Sequence, residues 1–339
     1  MKNTTLLLLL LVNISLFAKA PVKSPEQVQT ELNQAQTSFN IAKNMFNPWY
    51  TGPLITAPAN NVPYKKTNIQ PYIYFTDQYG QFTQNRKSVN VADIYTINPV
   101  MIYQYGLTNW LDFTAVESVF FRWRKDKYSA NISDFAVTFG VPLMQQGPYK
   151  PAIRFTFGES FPLGKYKNFN SEEAQIESTG LGAFATQIGL NISKVIWWMP
   201  LHPISFRFSS NYSIPNNKAN VKGFHSYGGG FGTSGKIKVG QTANLDLGLE
   251  VSITEKWVFA TDLAYTCTTK STFTGTAGTD STGLPAENGG AFSDQLSLAP
   301  AIEYNPSPAG GFIGGVWFPL TGRNSSNFIS LVLSYTYMF

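Results

Sequence analysis

Apolar and polar residues alternate with a period of two over most of this chain. In the stretch NFISLVLSYTYMF, residues 327–339, every second side chain is bulky and apolar or aromatic, and those between are mostly small or hydroxylic. Successive side chains of a β-strand point to opposite faces, so the stretch predicts a strand with one strongly apolar face. The residues on that face are Ile329, Leu331, Leu333, Tyr335, Tyr337 and Phe339.

The same period recurs from about residue 68 onward and predicts about twelve strands. Tight turns such as LTNW and PSPAG alternate with longer polar connections at 164–182, 216–239 and 271–292. Short turns alternating with long loops are typical of outer-membrane barrels, whose short turns are periplasmic. The strand number depends on 216–239, which could contain a further hairpin. The predicted strands are 68–79, 91–105, 110–123, 132–144, 151–163, 183–199, 203–215, 240–253, 257–270, 293–305, 311–319 and 326–339.

The alternation also predicts which side chains meet lipid. Leu247 and Leu249 share one face of their strand, and Asp246 and Glu250 share the other. An Arg or Lys on the lipid face at mid-bilayer costs about 2–4 kcal/mol, so the register is strongly determined. Lys194 breaks the pattern, which predicts either a bulge or a side chain that reaches the rim. We therefore predict an all-β fold: a closed, transmembrane, antiparallel up-and-down β-barrel over 68–339.

The first 67 residues differ from this pattern. Residues 1–20, MKNTTLLLLLLVNISLFAKA, combine an early Lys, a short apolar core and a small-residue cleavage site, which predicts a cleaved secretory signal peptide. Within 21–67, apolar residues at spacings of three and four predict a short amphipathic helix, followed by a linker. Ser24 is its predicted N-cap. The helix could pack on the periplasmic mouth, plug the lumen or form a short oligomerising coil.

Composition supports a membrane location. Charged residues are 13% of the chain, against roughly 25% in typical soluble proteins, and aromatic residues are 15%. After the N-terminal segment no apolar run approaches the ~20 residues of a membrane-spanning helix. The net charge is +5, or +3 once Lys2 and Lys19 are removed with the signal peptide, which is too small and dispersed to predict nucleic-acid binding. The single cysteine, Cys267, cannot form an intramolecular disulfide.

Candidate catalytic and cofactor motifs are weak. His202 lies in a predicted periplasmic turn and His225 in a predicted outer loop, so they cannot share a metal. Ser226 follows His225, but adjacent residues point apart on a strand and no acid partner is evident. GFGTSG at 230–235 matches a dinucleotide-binding pattern but precedes a strand-like segment instead of a helix. We predict neither a cofactor nor enzymatic activity.

The predicted lumen contains several charged residues. They could pair with one another inside a narrow barrel, or line a pore whose excess of acids favours cations or polar neutral solutes. These residues are Asp112, Asp134, Arg154, Arg207, Asp246, Glu250, Asp262 and Glu303. Aromatic residues beside predicted periplasmic turns are the predicted membrane-interface anchors: Trp110, Trp197, Trp198, Trp257 and Phe339. Trp123, Trp317 and Tyr79 lie nearer the predicted outer ends of their strands, where anchoring is also the expected role.

The stretch MFNPWYTGPLITAPANNVPYKKTNIQPYIYF, 45–75, resembles the beginning of the MetA-pathway phenol-degradation outer-membrane family. The resemblance extends loosely over 45–339, through LTNWLDF and SITEKWVFATDLAYT. It implies a porin-like barrel that transports an aromatic or other small hydrophobic compound, and it carries no catalytic residues. The aromatic C-terminus resembles the assembly signal of Gram-negative outer-membrane proteins, which implies the barrel-assembly machinery as a partner.

Taken together, the sequence predicts an outer-membrane porin-like channel for passive passage of small solutes. The predicted partners are outer-membrane lipid and a small-molecule solute, with a homo-oligomer such as a trimer left open beside a monomer. The alternative is a structural or adhesin barrel with a sealed lumen and interacting extracellular loops.

Overall fold

The computed structural model describes residues 23–44, 51–170, 174–199 and 202–339, so the predicted signal peptide lies outside the described residues. The two described helices are α1 (Pro25–Asn44) and α2 (Ala174–Glu177). The strands are β1 (Thr67–Phe82), β2 (Ser88–Gly106), β3 (Asp112–Arg124), β4 (Lys127–Ile132), β5 (Phe135–Met144), β6 (Ala152–Phe161), β7 (Lys167–Phe169), β8 (Ala185–Met199), β9 (His202–Pro215), β10 (Ala219–Lys222), β11 (Phe224–His225), β12 (Ser234–Lys238), β13 (Thr242–Ser252), β14 (Trp257–Thr268), β15 (Thr272–Thr276), β16 (Ser293–Ser307), β17 (Gly310–Arg323) and β18 (Ser325–Met338).

Twelve antiparallel strands form a closed barrel, which confirms the predicted fold class. β1 pairs with both β2 and β18, so the sheet has no free edge. The other neighbours follow one another in chain order, with β7, β10, β11, β12 and β15 left outside the wall. β4 and β5 both pair with β3 and together form one wall strand, interrupted at Ser133 and Asp134. Closure gives the wall strands paired neighbours on both sides, as hydrocarbon surroundings require, and only β4, among the described strands of the wall, pairs on one side alone.

Side chains are distributed between the outer and inner faces of the wall as the sequence predicts. Along β18, Leu331 is 46% exposed to the outside and its neighbour Val332 is fully buried inside. Lys194 lies on the outer face, and its Nζ donates to the carbonyls of Gly147 and Pro148 at 2.5 and 2.6 Å. The register between β8 and β9 is unbroken at Lys194. The side chain therefore reaches the turn of the adjacent hairpin, and no bulge is needed.

The two ends of the barrel differ in their connections. At one end, here called the short-turn end, the strands are joined by 107–111, 145–151, 200–201, 253–256 and 308–309. At the other, the long-loop end, 162–184, 216–241 and 269–292 are long. The hairpin suspected within 216–239 is present, because β10 pairs with β12, which also pairs with β15. One face of this small sheet is apolar and packs on Tyr166 and Tyr227.

Helix α1 begins with a capping box. The Ser24 Oγ accepts from the backbone N–H of Gln27 at 3.2 Å, and the Gln27 side chain accepts from the Ser24 N–H at 3.0 Å. Val28 and Leu32, on the predicted apolar stripe, are 42% and 41% exposed, so this part of the helix does not plug the lumen. Neither described helix is long and apolar enough to cross a membrane.

Candidate functional site

Residues 51–63, TGPLITAPANNVP, cross the barrel interior at the short-turn end before the chain enters β1. We call this stretch the luminal segment. It has no regular secondary structure, yet Leu54, Ala59 and Val62 are buried. Buried backbone without helix or sheet partners needs other hydrogen bonds. Here they come from side chains of the barrel wall.

Asp262 on β14 holds the centre of the luminal segment. Its carboxylate accepts the backbone N–H groups of Ile55 and Thr56 at 3.1 and 3.0 Å, and the Thr56 hydroxyl at 2.6 Å. The Asp262 side chain is fully buried. Hydrogen bonds to a carboxylate are stronger than those between neutral groups, so this contact fixes the segment firmly.

A second buried acid holds the end of the luminal segment. Asp112 on β3 accepts the Val62 N–H at 2.8 Å and pairs with Arg154 at 2.6 Å. Between the two acids, the Ser193 hydroxyl accepts from the Ala59 N–H and the Asn191 amide donates to the Pro58 carbonyl, both at 3.1 Å.

The beginning of the luminal segment packs against a third charged group, the guanidinium of Arg207. Arg207 on β9 donates to both carboxylate oxygens of Glu250, at 2.8 and 3.1 Å. Gly52 has φ of +76°, and a Cβ there would lie 2.5 Å from the Arg207 guanidinium. Only glycine fits this position without strain. Glu303 is fully buried and interacts with Glu250.

The remaining two predicted lumen acids do not touch the luminal segment. Asp246 faces the interior and accepts from the Ser209 hydroxyl at 2.9 Å. Asp134, at the break between β4 and β5, accepts the N–H groups of Gly164 and Leu181 at 2.9 and 2.8 Å. Asp134 therefore anchors the long loop instead of lining the interior cavity.

That long loop closes the other end of the barrel. Residues 164–182, here called the capping loop, carry α2 inward, with 171–173 outside the described residues. The Arg122 guanidinium of β3 donates to the carbonyls of Ile176 and Ser178. Lys165 pairs with Glu177, which also accepts the Asn170 N–H at 2.7 Å.

Between the luminal segment and the capping loop lies a cavity of about 1280 Å³. The cavity is amphipathic around its circumference. The wall of β1, β2, β3, β17 and β18 contributes most of the apolar and aromatic side chains, interspersed with polar ones such as Thr76, Thr96 and Asn98, and the wall from β5 to β14 contributes mostly hydroxyls and amides. The apolar set is Tyr72, Tyr74, Ile94, Val100, Ile102, Val116, Phe120, Trp317 and Phe328, and the polar set includes Thr138, Thr156, Asn191, Ser209, Asn211, Asn244 and Thr266.

Trp317 is the part of this site that the sequence misplaced. Its position suggested an interfacial anchor near the outer end of a strand, but its indole faces the cavity and donates to the Ser297 hydroxyl at 2.8 Å. Its ring lies 5.0 Å from that of Phe328 and 6.4 Å from that of Tyr74. Trp317 shares the inward phase of Ile313 and is aligned with the buried Ser330 of β18.

The predicted interface aromatics can be located in part. Trp110, Trp257 and Phe339 are 60%, 46% and 56% exposed at the short-turn end. The side chains of Trp197 and Trp198 lie outside the described residues. The anchoring role of all five stays a prediction.

The histidines do not form a hydrolytic site with neighbouring groups. The His225 Nδ1 accepts the Tyr227 N–H at 3.2 Å, and Nε2 lies 3.0 Å from the Asn288 side-chain oxygen. Ser226 instead donates to the Gly180 carbonyl at 3.1 Å. His202, at the opposite end, contacts the Ser252 carbonyl at 2.9 Å. No group of His, Cys, Asp and Glu within the described ranges could hold a metal.

Comparisons with known proteins show the fold. The chain is similar to the crystal structure of an outer-membrane channel from Pseudomonas putida F1, with a TM-score of 0.60, 12% identity, and coverage of 84% of this chain and 99% of that one. It is more weakly similar to the translocator domain of the autotransporter NalP from Neisseria meningitidis (TM-score 0.43, 10% identity, 92% and 98% covered). No family model and no curated protein matches the sequence, so the resemblance to the MetA-pathway family is not confirmed.

Proposed function

We propose that this protein is an outer-membrane channel through which small solutes pass passively, with amphipathic and aromatic compounds as its preferred cargo. The observation that carries the proposal is the cavity of about 1280 Å³, whose aromatic side chains are gathered on one wall among polar ones and whose facing wall is rich in hydroxyls and amides. Side chains of this kind bind a small molecule that has an apolar body and a polar group. Binding that is spread over many weak contacts also permits release, as transport requires.

The outer surface supports the membrane location. Leu247, Leu331 and Phe206 are all more than 40% exposed on the outer face of the wall, where water would make such a belt costly. We propose export through a signal peptide covering 1–20, a helix and linker over 21–67, and a barrel over 68–339 that the assembly machinery inserts. N-terminal sequencing of the protein purified from outer membranes tests this, with residue 21 as the expected first residue. An intact Met1 contradicts the export proposal.

The resemblance to the MetA-pathway family favours aromatic cargo, and the cavity is compatible with that class. Tyr74, Trp317 and Phe328 form a continuous aromatic surface inside the barrel. Offset or edge-on ring contacts contribute about 0.5–1.5 kcal/mol each beyond area burial. A solute ring on this surface would be held weakly, which suits a passage more than a storage site.

A sealed barrel with a structural or adhesive role is the second candidate. It is favoured by one observation: the chain folds into the interior at both ends, through the luminal segment and through α2. In that case the long loops and the small sheet of β10, β12 and β15 would be the functional surface. The two candidates differ in whether solute crosses.

Conductance of the purified full-length protein in planar bilayers separates the candidates. We expect small discrete current steps from wild type. A variant in which residues 53–61 are replaced by a Gly- and Ser-containing stretch of the same length should give larger steps. A matched replacement of 279–287, in a loop outside the barrel wall, serves as control and should leave the step size unchanged. If neither wild type nor the 53–61 variant conducts, the channel proposal is wrong and the sealed barrel is favoured.

A further inference from the structure

Among the described residues, the cavity holds one arginine that forms no ion pair with a carboxylate. Arg122, Arg154 and Arg207 all line it. Arg154 pairs with Asp112 and Arg207 with Glu250, whereas no carboxylate in the described part of the chain forms an ion pair with Arg122. The acid that lines the cavity, Asp246, lies on β13, five wall strands away.

The Arg122 side chain is nevertheless held in a defined position. Its Nη1 donates to two carbonyls of the capping loop, and its guanidinium lies 4.5 Å from the centroid of the Phe120 ring. A guanidinium carries five N–H groups in a planar fork. The contacts with Ile176 and Ser178 use Nη1, so the edge formed by Nε and Nη2 has no partner among the described residues. This edge matches the spacing of two carboxylate oxygens.

At the same height in the barrel, Arg122 is surrounded by hydroxyl groups that are flanked by aromatic and aliphatic side chains. The register aligns Arg122 with Thr96, and Thr96 with Thr76. Thr76 in turn aligns with Ser330, which is paired with Trp317. Within two residues of this row lie Phe120, Ile94, Tyr74 and Phe328, all of which line the cavity. The cation therefore sits at the edge of the aromatic wall instead of the polar one.

We propose that Arg122 and this aromatic row form a binding subsite for a small amphipathic monocarboxylate. The carboxylate would meet the Nε and Nη2 edge of Arg122, and an aromatic or aliphatic body would pack on Phe120, Tyr74 and Trp317. The inference rests on the proposed function and narrows its cargo to anions. A positive charge in surroundings of low polarity attracts an anion more strongly than it would in water.

This assignment differs from what the lumen acids alone suggest. Counted from the sequence, the inward set has more acids than bases and favours cations. In the structure, however, Asp112 and Glu250 are paired with arginines, and Asp262 is occupied by N–H groups of the luminal segment. These acids therefore cannot supply a cation preference to the cavity.

The test compares benzoate with benzamide, which has nearly the same shape and no charge. Binding is measured in two ways on the purified full-length protein: by quenching of tryptophan fluorescence in detergent, and by block of the bilayer current. We expect wild type to bind benzoate at least ten-fold more tightly than benzamide. Arg122→Gln keeps a donor for the capping-loop carbonyls, and it should abolish that preference.

Two further variants separate charge from geometry. Arg122→Lys keeps the charge but loses the fork, and should retain only part of the benzoate preference. Arg124→Gln removes the same charge two residues away, outside the cavity lining, and should behave as wild type. Circular dichroism and heat-dependent gel migration show that each variant is folded.

The outcomes distinguish this subsite from the channel itself. Equal binding of benzoate and benzamide to wild type, or an unchanged preference in Arg122→Gln, overturns the subsite. An equal loss of benzoate and benzamide binding in Arg122→Gln also overturns the subsite, because it would mean that Arg122 only positions the capping loop. A benzoate preference in fluorescence without any current supports the subsite and rejects the channel. A current without any preference for benzoate supports the channel and rejects the subsite.

Discussion

The chain folds into its own barrel at both ends, but the two inserted segments are held by different kinds of contact. At the short-turn end, the luminal segment gives its backbone N–H groups to Asp262 and Asp112, which are 0% and 1% exposed. At the long-loop end, the capping loop is held by Arg122, by Asp134 and by the pair of Lys165 and Glu177, in which the lysine side chain is 35% exposed.

This difference indicates which end can move. Removing a partner from a buried carboxylate leaves a charge and several N–H groups without hydrogen bonds, which costs several kcal/mol. In the pair of Lys165 and Glu177 the glutamate is 7% exposed, but the lysine side chain is reached by solvent and can return its charge to water, which lowers the cost of opening. We therefore expect the luminal segment to be a fixed constriction, and the capping loop to be the part that opens for solute.

The largest effect is expected from removing the central clamp. Asp262→Ala deprives the Ile55 and Thr56 N–H groups of their acceptor and should destabilise the docked luminal segment by about 3 kcal/mol. Limited proteolysis should then cut within 51–63 roughly 100-fold faster, since 1.4 kcal/mol is about a factor of ten. Asp246→Ala, which removes a lumen acid that does not touch the segment, is the control. If both variants resist cleavage equally, the segment is not held by Asp262.

A smaller effect is expected at the capping loop. Glu177→Gln removes the ion pair with Lys165 and weakens the contact with the Asn170 N–H. Because the lysine is partly exposed, the loss should be about 1 kcal/mol, which corresponds to a roughly five-fold higher open population in single-channel records. Glu287→Gln, which neutralises an exposed acid in another long loop, is the matched control. If Glu177→Gln weakens the docking of the capping loop by more free energy than Asp262→Ala weakens that of the luminal segment, the proposed order of the two closures is reversed.

The smallest effect is a pH dependence at the long-loop end. Burial lowers the pKa of His225 from its ordinary 6.5, and the hydrogen bond with Asn288 opposes this only in part. The ordered loop thus favours neutral His225, and this contribution is fully present above pH 6.5. It is lost as the pH falls toward the depressed pKa, because the open loop binds the proton more readily.

Hydrogen exchange of the amides at 224–231 measures this dependence. After correction for the intrinsic pH dependence of exchange, the protection factors of these amides should be a few-fold lower at pH 5 than at pH 7.5 in wild type. His225→Gln should flatten the difference, whereas His202→Gln, at the opposite end of the barrel, should keep it. Equal pH dependence in all three proteins would exclude His225 as the origin.

The barrel wall could be predicted because its signal is local. Each wall strand lies between lipid and interior, so alternation is imposed residue by residue, and the predicted strand 203–215 differs from β9 by one residue at its start. Lys194 breaks the alternation, which predicted either a bulge or a side chain that reaches the rim, and its contacts with Gly147 and Pro148 favour the second. The interruption of a strand at Ser133 and Asp134 has no such periodic signal.

The interior could be predicted only in part. The alternation identified charged residues that point inward, but not what each of them meets. Residues 51–63 were predicted to be a linker. Their three prolines and the lack of a period of two or of 3.6 indicated irregular backbone, but not that this backbone is buried in the barrel. Irregular backbone that is buried must find side-chain partners, and that requirement was the available signal.

The sequence by itself determined the closed barrel, its outer belt and the inward direction of its charges, because the bilayer acts on each strand separately. Only the tertiary structure decided that Asp112, Glu250 and Asp262 are occupied, and that Arg122 lies beside the aromatic side chains of the cavity. Thr56 and Asp262 are 206 positions apart, and the rings of Tyr74 on β1 and Trp317 on β17 meet inside the barrel. Contacts over such separations follow from closure of the whole barrel, which no local pattern encodes.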